Sequence, residues 1–278
     1  MQTIKIIKSD RSIKNKSFFM KYCAFFIAII FFSSCEEVIE VELNEADQRI
    51  VIEGNIETDN QKVIVQITKS GSFYQTNDFE KITGADVIIS KEGGEQFELL
   101  ETSEGIYELE NFESAIGDVF KLEIIDSEDN IYEAETTVPR VIDLIELTFE
   151  KIQGIGGEFY RVNCFLEDPK DEKNFYRIKY YKNGVLNTDD TRIFEDLTFD
   201  GELIDVPLFV AEAEAGDVIE VELISFDEDS YDYFVQIEDV SDAGFANSVP
   251  YNPQGNITND ALGYFGAKGI SRDTIILE

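Results

Sequence analysis

The chain has 278 residues, of which 58 are Asp or Glu and 23 are Lys or Arg, so its formal net charge is −35. Nucleic-acid phosphates repel such an acidic surface, which argues against a nucleic-acid partner. The chain has no histidine, which excludes Ser-His-Asp and Cys-His catalysis and every histidine-ligated metal site. Hydrophobic residues make up 43% of the chain, enough to form a folded core despite the charge.

Residues 1–34 predict an export signal, because basic residues precede a run of ten apolar residues, Cys23–Phe32. A membrane-spanning helix needs about 20 such residues, whereas the core of a signal peptide needs about 7 to 15. The tetrapeptide Phe32-Ser33-Ser34-Cys35 resembles the bacterial lipobox, in which the cysteine is acylated and becomes the new N-terminus. We therefore expect a mature protein that begins at Cys35 and is anchored in a lipid bilayer. The alternatives are an ordinary secretory signal and a short uncleaved anchor.

Residues 35–48 predict an acidic tether that extends behind the lipidated cysteine, because like charges repel one another along the chain. Glu36 and Glu37 directly follow Cys35, and acids at this place resemble the surface-export signal of Bacteroidetes lipoproteins. The resemblance implies a location at the outer membrane, exposed on the cell surface. The alternative is that Glu36 and Glu37 are simply the first residues of the tether.

From Arg49 onward, apolar residues recur mostly at every second position, which is typical of β-strands. Residues 49–139 predict an N-terminal β-sandwich, with Gly93-Gly94 as a turn and Pro139 near the domain boundary. The predicted strands are Ile50–Ile56, Lys62–Thr68, Asp86–Ser90, Glu95–Glu101, Gly105–Leu109, Val119–Asp126 and Ile131–Thr137.

Residues 140–278 predict a second β-sandwich with one short helix near 230–240. Apolar residues near helical spacing follow Ser230, which we expect to cap the helix. Cys164 alternates with apolar residues on one strand face, which favours a buried side chain over a reactive thiol. We therefore expect an all-β fold of two immunoglobulin- or transthyretin-like sandwich modules. The predicted strands of the second module are Asp143–Glu150, Phe159–Leu166, Phe175–Tyr181, Val218–Ser225, Gly263–Gly266 and Thr274–Leu277.

An internal repeat links the two predicted modules. Segments 117–125 and 216–224 share five of nine residues, and each begins with Gly-Asp followed by an alternating strand. Because Gly-Asp is a common turn pair, each segment is interpreted as the same turn-and-strand corner. The spacing between the segments is close to the length of one immunoglobulin-sized sandwich. This favours two related modules over convergent turn chemistry.

Five short blocks of sequence stand out in the folded region. They are Ile50–Gly54, Gly84–Ile89, Gly105–Tyr107, Gly255–Ile257 and Gly263–Gly266. Together with the lipobox, these blocks resemble the Bacteroidetes lipoproteins called domain of unknown function 4249 (DUF4249), over nearly all of the mature chain. The resemblance implies an outer-membrane lipoprotein of a kind often encoded beside a TonB-dependent receptor. It implies no established enzyme activity and offers no catalytic residues to carry over.

Two candidate sites come from the residues themselves. Asn256 lies in a turn motif, and we expect its amide to tie a loop to the backbone rather than to contact a ligand. Asp227, Asp229 and Asp232 cluster before the predicted helix, where their oxygens could bind a hard cation such as Ca²⁺. The interpretation that we favour for these acids is compensation of the helix dipole on a solvated surface.

We therefore expect a surface-exposed lipoprotein that acts as a binding or accessory component of a TonB-dependent nutrient-uptake system. The receptor partner rests on the family resemblance, and Ca²⁺ is the one cofactor considered. The first alternative is a structural or adhesive surface protein. The second is a carboxylate-dependent hydrolase, which requires two acids facing each other across a concave pocket.

Overall fold

The computed structural model of the protein describes residues 48–71, 79–154, 157–188, 191–242 and 251–278. Within these residues the chain forms sixteen strands and one helix, which confirms the predicted all-β class. Cys35, Glu36 and Glu37 lie outside the described residues. The strands are β1 (Ile50–Glu57), β2 (Lys62–Lys69), β3 (Asp86–Lys91), β4 (Gln96–Glu98), β5 (Leu100–Ser103), β6 (Ile106–Glu110), β7 (Val119–Ile125), β8 (Ile131–Thr137), β9 (Leu144–Gly154), β10 (Gly157–Glu167), β11 (Phe175–Lys182), β12 (Val185–Leu186), β13 (Arg192–Glu195), β14 (Leu203–Val210), β15 (Val218–Phe226) and β16 (Leu262–Ile276), and the helix is α1 (Glu228–Asp242).

One nine-stranded sheet contains strands from both halves of the chain. Its order is β12-β11-β15-β16-β1-β2-β6-β5, and β13 also pairs with β11. β16 pairs antiparallel with β15 on one side and parallel with β1 on the other. The first and last strands of the described chain therefore lie side by side within this sheet.

Two smaller sheets pack on one face of the long sheet. The four-stranded sheet β4-β3-β7-β8 and the three-stranded sheet β14-β10-β9 each enclose a hydrophobic core against it. Ile52, Val65 and Phe120 are buried in the first core, and Val162 and Tyr176 in the second. Alternate residues of strands such as β1, β2 and β7 thus bury apolar surface between two layers, as in a β-sandwich.

β16 takes part in both cores. Phe265 and Ala267 near its start are buried in the first core, whereas Ile275 near its end packs against the second. The predicted boundary near residue 139 lies between β8 and β9, but residues 262–268 return to the first sandwich by pairing with β1. The prediction of two short C-terminal strands is wrong, because polar residues interrupt the apolar alternation in the middle of one fifteen-residue strand.

The two segments of the internal repeat form the same corner. Gly117 and Gly216 both adopt positive φ, 83° and 97°, which glycine reaches without a steric penalty. The aspartates that follow, Asp118 and Asp217, each accept a hydrogen bond of 2.9 Å from the backbone N–H three residues earlier. The shared sequence therefore encodes one local geometry, which leads into β7 of the four-stranded sheet and into β15 of the long sheet.

α1 lies on the face of the long sheet opposite the two smaller sheets. Val221 and Leu223 of β15 point into the second core, whereas the alternating Ile224 and Phe226 pack with Tyr231 of the helix. The helix is capped by Asp227, whose Oδ1 accepts the Ser230 N–H at 2.8 Å. The prediction of Ser230 as the cap is wrong, because the first helical bond already joins the Tyr231 N–H to the Asp227 carbonyl.

Candidate functional site

Two basic residues stand on the helix-covered face of β11. Tyr176, Ile178 and Tyr180 are buried in the second core. Because side chains alternate along a strand, Arg177 and Lys179 project from the opposite face, the one on which α1 lies. A spacing of two residues therefore brings two positive charges together beside the helix.

Arg177 and Lys179 line a pocket of about 250 Å³ between α1 and the long sheet. Its walls include the aromatic rings of Phe234 and Tyr264 and a third basic residue, Lys268. The Arg177 guanidinium lies 5.0 Å from the centroid of the Phe234 ring, a cation–π geometry. A neighbouring hollow of about 400 Å³ also contains Arg177 and Lys179 in its wall. Both charges therefore border two adjoining cavities.

Arg177 and Lys179 lack an ion-pair partner in the part of the chain that the structure describes, and the carboxylates whose charges act on them, Glu238 and Glu222, lie beyond ion-pair distance. The buried Nε of Arg177 has no hydrogen-bond acceptor among the described residues. Burial lowers the pKa of both groups, and the charges of Arg177 and Lys268 lower the pKa of Lys179 further. Lys268 differs from them, because it pairs with Glu57 at 3.0 Å.

Unpaired cations in a partly buried, aromatic-walled pocket have a direct physical consequence. Desolvation makes the positive charges of Arg177 and Lys179 unfavourable until an anion approaches them. The rest of the surface is strongly acidic, since the net charge is −35. A local basic hollow with perturbed pKa values is therefore the best candidate ligand site in the described residues.

A larger cleft of about 460 Å³ lies where the two sandwiches meet. Several of its charged side chains already have partners within the protein. Arg140 donates two hydrogen bonds of 2.8 Å to Glu172, and Lys173 pairs with Glu228. Because these charges neutralise one another, the cleft has fewer unpaired charges available to bind a charged ligand than the pocket beside α1.

The carboxylate of Asp227 holds the start of α1 against the sheet. Besides the Ser230 N–H, it accepts the Thr136 hydroxyl and the Ala267 N–H, each at 2.8 Å. Burial raises the pKa of this carboxyl, and its hydrogen bonds act in the opposite direction. The helix wall of the pocket is thereby tied to β8 and β16.

The side-chain amide of Asn256 joins the loop before β16 to that strand. Its Oδ1 accepts the Phe265 N–H at 3.0 Å, and its Nδ2 donates to the Phe265 carbonyl at 2.8 Å. Nδ2 also donates to the Glu135 carbonyl of β8 at 3.0 Å. These backbone contacts are those of a structural latch between the two sheets of the first sandwich.

The three acids considered as calcium ligands do not form a ligand group in the described residues. Asp227 uses its carboxylate in four hydrogen bonds to Thr136, Ser230 and Ala267. Asp229 lies exposed on the first turn of α1, and Asp232 lies exposed just after it. The calcium prediction at Asp227, Asp229 and Asp232 therefore gains no support from these residues, since Asp227 uses its carboxylate to cap the helix.

A different acidic triad does meet, in the second sandwich. Asp168, Asp196 and Asp200 each place a carboxylate oxygen within 4.8 Å of the other two. Asp168 and Asp196 are buried, whereas Asp200 is exposed. Sequence reasoning missed the group, because three strands separate Asp168 from the other two. The four-residue spacing of Asp196 and Asp200 is the one local signal of it.

The sequence profile of a family described as Domain of unknown function (DUF4249) matches residues 36–274, which is most of the chain. The chain belongs to the DUF4249 family. No curated protein matches this DUF4249 chain. In the residues that the structure describes, no helix has the length and apolar character needed to cross a bilayer.

The two C-terminal sequence blocks of this DUF4249 chain pack against each other and against the start of α1. A Cβ atom on Gly255 would overlap the Gly263 carbonyl, and a Cβ atom on Gly266 would overlap Ser230 Oγ. Gly263 has a φ of +96°, and its Cβ would overlap the Ile52 carbonyl. These glycines allow three backbone segments to approach closely beside the pocket.

Proposed function

We propose that this DUF4249 protein is a lipid-anchored, surface-exposed binding protein of the outer membrane that assists a TonB-dependent uptake system. The lipobox cysteine Cys35 supports the anchor, and Glu36 and Glu37 support the surface location. The resemblance to Bacteroidetes lipoproteins supports the receptor partner. The ligand site in this proposal is the pocket beside α1.

The binding role rests on the unpaired charges of Arg177 and Lys179. A carboxylate or phosphate group can accept charge-assisted hydrogen bonds from both side chains, and the planar guanidinium favours a two-oxygen anion. Phe234 and Tyr264 offer apolar faces to the remainder of the ligand. The pocket therefore fits a small organic anion with an apolar or aromatic body.

Anion binding can be tested on the full chain with three probes: inorganic phosphate, benzoate and benzylammonium. Calorimetric titration and thermal unfolding should detect phosphate and benzoate, whereas benzylammonium has the shape of benzoate with the opposite charge and should not bind. Arg177→Gln and Lys179→Gln should each weaken anion binding by about tenfold or more, because each removes a charged donor.

Lys121→Gln is the matched control, because Lys121 is an exposed lysine of β7 that does not line the pocket. It should bind the anions like the unchanged chain. Equal losses in Lys121→Gln and Arg177→Gln, or binding of benzylammonium as tight as that of benzoate, would exclude the pocket as an anion site.

The anchor and the partner need separate experiments on native membranes. Mass spectrometry should find acyl chains on Cys35, and Cys35→Ala should shift the protein into the soluble fraction. Mild detergent extraction should co-purify a TonB-dependent receptor. An unmodified Cys35 contradicts the anchor, and a gene deletion that impairs adhesion but leaves uptake normal favours an adhesive surface protein.

A further inference from the structure

Three aspartates from two connections, the one after β10 and the one between β13 and β14, converge at one end of the second sandwich. Asp168 follows β10, Asp196 follows β13, and Asp200 lies in the turn before β14. One oxygen from each carboxylate lies within 4.8 Å of those of the other two. Since Ca²⁺–oxygen distances are about 2.3 to 2.6 Å, oxygens up to about 5 Å apart can contact one ion.

Local hydrogen bonds hold each carboxylate in position. Asp168 accepts the Tyr176 hydroxyl, while Asp196 and Asp200 accept backbone N–H groups at 3.1 and 2.7 Å. A carboxylate has about four lone-pair sites, so each of the three keeps free acceptor capacity. The triad is therefore positioned by the fold without being saturated by it.

A buried amide oxygen beside the triad is an independent sign of a ligand. Asn174 is 9% exposed, and its Oδ1 has no hydrogen-bond donor. Asn174 lies opposite Asp196, at the next position after the Phe175↔Glu195 pair. The backbone N–H of Asp196 donates to the backbone carbonyl of Asn174 at 3.3 Å. Directly opposed residues of antiparallel strands place their side chains on the same face, about 4.5 to 5.5 Å apart. The alternation therefore puts this unpartnered oxygen on the face that carries the Asp196 carboxylate.

The triad also lacks a positive partner from the protein. In the described residues Asp168, Asp196 and Asp200 form no ion pair with Lys or Arg. Burial and the charge of Asp168 raise the pKa of Asp196, as expected for neighbouring carboxylates without a counter-charge. A bound cation would supply the missing charge and give the orphan amide oxygen a partner.

We infer that Asp168, Asp196, Asp200 and Asn174 form a binding site for one Ca²⁺ ion. All four side chains offer oxygen, which favours a hard cation over zinc or copper. Asp200 is the exposed member of the group. Water molecules on its side can complete the coordination of Ca²⁺, which takes about six to eight oxygen ligands. The ion joins the ends of β10 and β13 to the start of β11 and stabilises this end of the sandwich.

The test uses the full chain, stripped of metal with a chelator, and Ca²⁺ and Tb³⁺ as probes. Tb³⁺ occupies oxygen-lined calcium sites and luminesces when a nearby tyrosine is excited. Tyr176, hydrogen-bonded to Asp168, is placed to sensitise it, and the chain has no tryptophan. Ca²⁺ should quench this signal competitively, bind at one ion per chain, and raise the Tm by about 5 °C at a hundredfold excess over Kd.

Asp200→Asn removes one charge at the exposed edge of the site, so folding should be unaffected while Ca²⁺ affinity falls by about tenfold or more. Asn174→Ala removes the amide oxygen and should weaken Ca²⁺ without changing the net charge. Asp229→Asn is the matched control for Asp200→Asn, since Asp229 is an exposed acid outside the triad.

Diffuse attraction of cations to a chain of net charge −35 is the competing explanation. It would change Asp200→Asn and Asp229→Asn alike and would leave Asn174→Ala unaffected. That pattern, or a Tm and a Tb³⁺ signal that do not respond to Ca²⁺ at about 10 mM, overturns the site. Neither result depends on the anion pocket beside α1.

Discussion

The side-chain amide of Asn256 takes the place of a neighbouring strand for Phe265. β15 and β16 pair as far as Lys268, and on that side the earlier residues of β16 have no strand partner in the described chain. Asn256 bonds both the N–H and the carbonyl of Phe265, and Asp227 accepts the N–H of Ala267. Side chains from two other segments thus continue the hydrogen bonding of the sheet past its last strand pair.

Asn256→Ala should lower the free energy of unfolding by about 2 to 3 kcal/mol, because it leaves the backbone groups of Phe265 and the Glu135 carbonyl without partners. Chemical denaturation measures the change. Asn252→Ala, in the same loop but exposed, is the control and should stay within about 0.5 kcal/mol of the unchanged chain. Equal effects of the two substitutions on the free energy of unfolding would mean that the hydrogen bonds of the Asn256 amide do not stabilise the fold.

Gly266→Ala should destabilise the protein by about 1 to 3 kcal/mol, because the added Cβ would overlap Ser230 Oγ and lie 2.9 Å from Asp227 Oδ2. Removing the hydroxyl with Ser230→Ala should relieve part of this overlap. The double variant should therefore lose less than the sum of the two single losses, by about 0.5 kcal/mol or more in a double-mutant cycle. Strict additivity would contradict the close packing of β16 against the start of α1.

Cys164 should be unreactive in the folded protein. Its side chain is buried in the second core, and burial raises the pKa of the thiol to about 12. Because the thiolate is the nucleophile, alkylation by iodoacetamide at about pH 8 should be about a thousandfold slower than in the unfolded chain. Mass spectrometry of the Cys164 peptide measures both rates, and similar rates would contradict its burial.

Lys179 should make stability depend on pH on the alkaline side. Burial and the charges of Arg177 and Lys268 lower its folded-state pKa below the ordinary lysine value of about 10.4. The unfolded chain then binds more protons between these two values, so the contribution of Lys179 to stability rises with pH across that window. Lys179→Met should therefore stabilise the protein at neutral pH by about 1 kcal/mol, since it removes an unpaired, partly buried charge.

The Tm difference between Lys179→Met and the unchanged chain measures this effect. The difference should be positive near neutral pH and shrink as the pH rises towards the ordinary lysine pKa, because the native Lys179 then loses its charge. Lys121→Met, at an exposed site, should show no such trend. A pH-independent difference for Lys179→Met would mean that the lysine is not perturbed.

Some regularly alternating strands, such as β11, were predictable from the sequence, whereas β12, β13 and β14 were missed. Phe175–Tyr181 was predicted for β11, which ends one residue later, because buried and half-buried residues alternate from Tyr176 to Tyr181. β14 was missed, because Pro207 interrupts it. The topology tolerates this proline because β14 is an edge strand of its sheet.

At the start of α1, the sequence predicted the helix but not the role of a single residue, Asp227. An acidic and polar cluster before an apolar run correctly indicated a helix in this region. Whether Asp227 caps the helix or binds a metal depends on Thr136 and Ala267, which are distant in the sequence and donate to its carboxylate. Local composition contains no information on these donors.

The sequence by itself determined the acidic charge, the all-β class, the repeated Gly-Asp corner and the family, because each depends on composition or on a short local period. Only the tertiary structure decided which charges meet. Arg140 forms an ion pair with Glu172, whereas Arg177 lies over the Phe234 ring and forms no ion pair within the described residues. Asp168 and Asp196 come together from separate strands. Such neighbours are set by strand register and sheet order, which join residues far apart in the chain, and no local pattern specifies them.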